Sequence, residues 1–153
     1  FYFAVGAFFW VVLFTLFLNR VIFHHQMPQK FIPTLFILIA PPAVGFISYF
    51  KLTHHWDLVG EFLLSITYFF VLLLVFLARS FKNLKFFVSW WAFIFPLDAL
   101  VIASILAYKV SDQLFYKYMA WGVFVVTLVF IGIVGYQTIL KIKAGEICVK
   151  EEE

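Results

Sequence analysis

The sequence contains little charge and a single cysteine, and these two shortages exclude several classes of protein. Only 12% of its 153 residues are charged and 65% are hydrophobic, whereas soluble domains carry roughly twice that share of charge. A chain this apolar cannot cover its surface in water, so the expected solvent is lipid. Cys148 alone excludes an internal disulfide framework and a multi-cysteine metal site. The net charge of +3 is too small and too scattered to favour nucleic acid as a partner.

Sequence motifs of common enzymes are also missing. The chain has no Gly-rich phosphate loop, nucleophile elbow or HExxH motif, so we expect neither an enzyme nor a cofactor. The histidines form two pairs, His24–His25 and His54–His55, which raise the question of metal or haem binding. The topology below puts the pairs on opposite membrane faces, about 30 Å apart. Interfacial loop positions are therefore favoured, and a membrane redox subunit with histidine ligands is a weaker alternative.

Five apolar segments each approach the roughly 20 residues that a membrane-spanning helix needs. They cover about residues 1–19, 32–50, 58–78, 86–108 and 115–140. The loops between them are short and leave no room for a soluble domain. We predict an all-α integral membrane protein, with one transmembrane helical domain over residues 1–140 and a tail over residues 141–153. Because the chain opens inside an apolar run without Met or a charged leader, we expect a missing N-terminal part.

Basic residues favour one orientation of these spans. Eight of the eleven lie in loops one and three or in the tail, and such loops face the cytoplasm. They are Arg20, Lys30, Arg79, Lys82, Lys85, Lys141, Lys143 and Lys150. The C-terminus is therefore expected in the cytoplasm, in a plasma or bacterial inner membrane.

Prolines distinguish the second and fourth spans from the others. Pro41 and Pro42 fall near the middle of the second span, and Pro96 near the middle of the fourth. A proline inside a helix removes a backbone hydrogen bond, and lipid tolerates the freed carbonyl only where protein or water satisfies it. Spans two and four are therefore predicted to be kinked and interior, and spans one, three and five to face lipid.

The fourth span carries an alanine stripe and an acid. Phe95 is predicted on the same face as four alanines that recur near helical spacing: Ala92, Ala99, Ala103 and Ala107. Two interpretations stay open: a small-residue packing stripe against a neighbouring helix, or a pore wall blocked by the Phe95 ring. Asp98 lies near the bilayer midplane, where a carboxylate normally faces an interior or a water-filled cavity. It either ties helices together or takes part in transport.

Two sequence stretches resemble a known family. SWWAFIFPLDALVIAS (residues 89–104) and IAPPAVGFISYFKL (residues 39–52) resemble the ninth- and seventh-helix segments of the tellurite-resistance/dicarboxylate transporter family. That family includes plant guard-cell slow anion channels, bacterial tellurite-resistance proteins, fungal malate permeases and sulfite exporters. The resemblance covers essentially the whole chain.

The resemblance implies a fold and a site. Members have ten helices in five hairpins around a central pore, lined by the odd-numbered helices, so this chain is similar to helices six to ten, the C-terminal half. By the same resemblance, Phe95 occludes the pore, Pro41, Pro42 and Pro96 bend the pore helices, and the protein is a homotrimer. Relatives commonly carry a small residue where this chain has Asp98. This acid is protonated, points away from the lumen, or couples transport to protons.

The function predicted from the sequence is that of an anion channel or anion-selective permease. Small inorganic anions or small organic acids would pass a pore occluded by Phe95. The alternative is a proton-coupled C4-dicarboxylate or sulfite carrier with Asp98 as its proton site.

Overall fold

All regular structure in the described part of the chain is helical. The computed structural model describes residues 1–23, 29–77 and 86–145. Five α-helices are present: α1 (Tyr2–Phe23), α2 (Ala40–Thr53), α3 (Leu58–Phe76), α4 (Ile94–Ser111) and α5 (Leu114–Lys143). Two 3-10 segments, η1 (Gln29–Ile39) and η2 (Val88–Phe93), run directly into α2 and α4. The predicted all-α fold class is confirmed.

Five helical stretches are long and apolar enough to cross a membrane. They are Tyr2–Arg20, Pro33–Thr53, Leu58–Phe76, Val88–Ser111 and Leu114–Lys143. These agree with the five predicted spans to within a few residues, so the prediction of five spans is confirmed. Several features named above lie outside the described residues: His24–His25, Arg79, Lys82, Lys85, Cys148 and tail residues 146–153.

The helices form two hairpins with similar turns at one end of the bundle. The residues that follow α2 and α4 are His54 and Asp112, and both adopt the left-handed conformation, with φ of 55° and 54°. Asp57 then begins α3, where its Oδ1 accepts the backbone N–H groups of Val59 and Gly60, at 3.1 Å each, which satisfies free donors of the first turn. The rings of Trp56 and Tyr116 lie 6.2 Å apart, so both turns share one end, here called the Asp57 end. The opposite end, where α5 finishes, is the Lys143 end.

The three mid-span prolines lie at the junctions between 3-10 and α structure. Pro41 and Pro42 are the second and third residues of α2, and Pro96 is the third residue of α4. The 3-10 segments run directly into the α-helices, and the Ile94 N–H donates to the Trp91 carbonyl across the junction of η2 and α4, so each proline lacks a donor within a continuous helical stretch. Each proline thus lies within a helical span, the helix type changes there, and the bend attributed to these prolines stays a prediction. The two junctions are neighbours, because η1 packs beside η2 and α2 beside α4.

Helix α4 is the centre of the packing. It contacts α5 most extensively and also packs against α2, which in turn packs against α3. Its buried face runs from Pro96 to Ala107. Helix α3 was predicted to face lipid, but only one side of it is exposed. Phe69 and Leu72 lie on that side, and the opposite side is buried in the bundle. The buried residues of α3 are Gly60, Leu63, Leu64, Thr67, Phe70 and Leu74.

Candidate functional site

The alanine stripe of α4 is a packing surface within this chain. Ala99 and Ala103 are buried and belong to one apolar cluster with residues of α2 and α3. The cluster consists of Ala43, Phe46, Leu63, Leu64, Ala99, Ala103 and Ala107. Small side chains allow this close approach of helices. Ala92 is half-buried in η2, and the pore-lining role of Ala92, Ala99 and Ala103 stays a prediction.

A second face of α4 points away from the core of the chain. We call it the open stripe, and it consists of Phe95, Asp98, Ile102, Ile105 and Lys109. All five are exposed, and their spacing of three or four residues places them along one side of the helix. Phe95, with 65% of its surface exposed, was predicted to share the alanine face. The structure separates the two faces, since the approach of α2 covers the alanines and leaves the open stripe uncovered.

Phe95 and Phe93 differ in burial although only one residue separates them. Phe93 is 3% exposed, and its ring contacts Phe36, Trp90 and Phe130, with centroids 4.5, 5.7 and 5.2 Å away. Phe95 follows it at the junction from η2 to α4 and projects from the open stripe. An exposed aromatic ring at the change of helix type, near the middle of the span, is available to a partner or a lumen outside this part of the chain.

Asp98 lies one turn from Phe95 on the open stripe. It is exposed, and no hydrogen bond or ion pair joins it to residues 1–23, 29–77 or 86–145. The interpretation that Asp98 ties helices together is therefore not supported within these ranges. Lys109 is eleven residues further along the same stripe, about 16 Å away by helical rise. That distance is far beyond the roughly 4 Å of an ion pair, so Lys109 does not pair with the Asp98 side chain.

A buried polar contact joins α3 to α4, and sequence reasoning missed it. The Tyr68 hydroxyl lies 2.7 Å from Ser104 Oγ, and Ser104, fully buried, also donates to the Leu100 carbonyl at 2.7 Å. Because Ser104 uses its proton on that carbonyl, the tyrosine donates to Ser104. Hydrogen bonds of this kind hold membrane helices together. The only hint of this contact in the sequence was the presence of isolated hydroxyl residues in otherwise apolar spans.

Polar groups at the Asp57 end are engaged with one another. The Tyr49 hydroxyl donates to Asp57 Oδ2 at 2.6 Å, and this bond, with the backbone donors of Gly60 and Val59, lowers the pKa of the Asp57 carboxyl. Glu61 accepts the Trp56 indole N–H at 2.8 Å. His54 and His55 are exposed beside them. The described residues contain no group of three His, Cys, Asp or Glu side chains that could hold a metal ion.

The fold and the site together define a class: an all-α membrane protein whose fourth span is the most buried of five and has an open stripe that carries a carboxylate at membrane depth. Residues 1–139 match the SLAC1 family, described as voltage-dependent anion channel. The chain belongs to this family, and the resemblance drawn from its two motifs is confirmed.

Individual relatives include plant channels and archaeal transporters. The chain is 32% identical over 113 residues to the S-type anion channel SLAH2 of Arabidopsis thaliana, a match that covers 74% of this chain and 21% of that protein. It is 27% identical over 161 residues to the uncharacterized transporter MJ0576 of Methanocaldococcus jannaschii, covering 95% of this chain and 46% of the relative. The chain therefore spans between about a fifth and a half of these relatives. No solved structure matches significantly.

Proposed function

We propose that this chain forms part of the wall of an anion-conducting pore, occluded by the ring of Phe95. The observation that carries the proposal is the open stripe, an exposed face at membrane depth that bears an aromatic ring and a carboxylate. A carboxylate facing lipid is costly, so water or protein is expected beside this stripe. Membership of an anion channel family supports anions as the permeant species, and the name of the plant relative supports the same class. Small inorganic anions or small organic acids are the proposed substrates.

The rest of the pore wall comes from outside these residues. Relatives are at least twice as long as the matched part of this chain, which supports a further set of helices in the same protein. We propose ten helices in five hairpins, with α2 and α4 in the inner ring and the assembly trimeric. The distribution of basic residues supports a cytoplasmic Lys143 end, in a plasma or bacterial inner membrane.

The test is anion current through the complete protein in a planar bilayer, with wild type compared with Phe95→Ala. A ring whose displacement costs as little as about 1.4 kcal/mol slows passage tenfold, so its removal is expected to raise chloride or nitrate conductance by about tenfold or more. Ile102→Ala, on the same stripe, is the matched control and is expected to change the current far less. Equal currents from wild type and Phe95→Ala would refute the occlusion.

A proton-coupled carrier is the second candidate, and the position of Asp98 is the observation that favours it. This acid is exposed one turn from Phe95 and has no partner among the described residues. In liposomes loaded with a C4-dicarboxylate or sulfite, coupled uptake would follow an imposed pH gradient and be lost in Asp98→Asn. The control is Asp112→Asn, which removes an exposed acid from a turn. Uptake that does not depend on the imposed pH gradient would refute proton coupling.

A further inference from the structure

An apolar groove of about 580 Å³ lies on the side of the bundle away from the open stripe. Leu97 and Leu100 of α4 form its floor, Leu74 of α3 one wall, and Gly122 and Val126 of α5 the other. Helix α3 packs against α2, helix α5 packs against α4, and α3 and α5 make little direct contact with each other. The groove is the space left between them.

The shape of the groove matches a single extended chain that enters from the Lys143 end. At the Asp57 end, α3 and α5 are joined by the rings of Tyr68 and Tyr116, 6.1 Å apart. Along α5 the lining extends from Tyr118 to Phe130, which is about 18 Å by helical rise. A membrane leaflet has a hydrocarbon depth of about 15 Å. The groove therefore has about the length of one acyl chain.

A hydrogen-bond donor is available towards the Lys143 end of the groove. Trp90 lines it, and the indole Nε1 of Trp90 is buried with no acceptor among the residues that the structure describes. Buried N–H groups are nearly always paired, so an acceptor from another molecule is expected there. The next residue, Trp91, donates to Thr138 Oγ1 at 3.1 Å, which places η2 beside the last turns of α5. Lys143 follows at that end and is exposed, as suits an anionic headgroup.

We propose that the groove binds one acyl chain of an anionic phospholipid from the leaflet at the Lys143 end. The chain lies between α3 and α5 against Leu97 and Leu100, and its ester carbonyl accepts the Trp90 indole N–H. Lys143 attracts the phosphate. This site is separate from the open stripe and does not depend on anion conduction. An anionic lipid of the leaflet at the Lys143 end would therefore lie on the outer surface of the bundle.

The experiment uses the complete protein in vesicles that contain phosphatidylglycerol with a photoreactive diazirine in one acyl chain. After illumination, cross-linked peptides are identified by mass spectrometry, and they are expected from the Gly122–Val126 stretch of α5 and from Leu74 of α3. Gly122→Leu fills the groove, since a Cβ at Gly122 meets nothing within 4 Å, and is expected to lower the yield at these sites at least fivefold. Gly132→Leu is the matched control, because a Cβ there also meets nothing within 4 Å and Gly132 lies outside the groove. It is expected to leave the yield unchanged.

The donor is tested with Trp90→Phe, which keeps an aromatic ring and removes the N–H. An ester-linked probe is expected to lose about fivefold in yield, the effect of one hydrogen bond, whereas an ether-linked probe without a carbonyl is expected to lose nothing. Equal yields from Gly122→Leu and wild type would overturn the site. Disulfide formation between copies at Gly122→Cys, without lipid cross-links in the wild type, would also overturn it and assign the groove to a second copy of the chain.

Discussion

Phe93 and Phe95 offer a matched pair of substitutions that separates packing from pore occlusion. Both are phenylalanines at the junction of η2 and α4, and replacement by alanine removes the same atoms from each. Phe93 is 3% exposed and Phe95 65%. We expect Phe93→Ala to destabilise the protein with no specific effect on the pore, and Phe95→Ala to change anion current while stability stays nearly constant.

The size of each effect follows from the contacts of the two rings. Burial in lipid gives little hydrophobic gain, because the surrounding solvent is itself apolar, so packing dominates. The Phe93 ring has three aromatic neighbours within 6 Å, and at roughly 0.5–1.5 kcal/mol each their loss amounts to about 1.5–4.5 kcal/mol. The mostly exposed Phe95 ring is expected to contribute less than about 0.5 kcal/mol.

Two assays on the same preparations separate packing from pore occlusion. The free energy of unfolding is measured in mixed micelles by denaturant titration with far-UV circular dichroism, and anion current is measured in planar bilayers. If Phe95→Ala lost as much stability as Phe93→Ala, the Phe95 ring would be a packing group in the complete protein and the occlusion would be refuted. If Phe93→Ala were neutral, the aromatic packing between η2 and its neighbours would be wrong.

Three further predictions concern the bundle. Ala103→Leu overfills a fully buried site and is expected to lower the free energy of unfolding by about 1–3 kcal/mol in the same assay. The control Ile102→Leu, at the neighbouring exposed position, is expected to be neutral. If Ala103→Leu lowered the anion current without a loss of stability, the alanine face would instead line a lumen. Tyr68→Phe removes one interhelical hydrogen bond and is expected to cost about 0.6 kcal/mol; no loss would show that this bond contributes nothing. The pKa of Asp57 is lowered in the folded protein, so its stabilisation is present above the ordinary carboxyl pKa and is lost as pH falls through the lowered value; Asp57→Asn is expected to abolish that acid-dependent loss, and an unchanged pH profile would contradict it.

The positions of the spans were predictable because they depend only on composition and length. Hydropathy located all five, with α1 continuing to Phe23 and α5 to Lys143 beyond the predicted ends, since polar residues are tolerated where a helix reaches the interface. The face of Phe95 was not predictable in the same way. Four residues of helix turn the side chain by only about 40°, so Phe95 and Ala99 looked equivalent until the position of α2 was known. The contact between Tyr68 and Ser104 also required the tertiary structure.

For Pro96→Ala, sequence reasoning and the structure predict changes in the free energy of unfolding that have opposite signs. If Pro96 interrupted a continuous α-helix, Pro96→Ala would restore a backbone bond and stabilise the protein by up to about 3 kcal/mol. In the structure it lies where η2 changes to α4, so the helix has already adjusted to the missing donor, and its ring is fully buried. Loss of two buried ring methylenes should then leave a small cavity and destabilise by about 1–2 kcal/mol or less. Pro42→Ala, at the equivalent position of α2 and also fully buried, is expected to behave alike. A clear gain in unfolding free energy for either variant would mean that the junction is a kinked α-helix, and the direction assigned to Phe95 would need to be derived again.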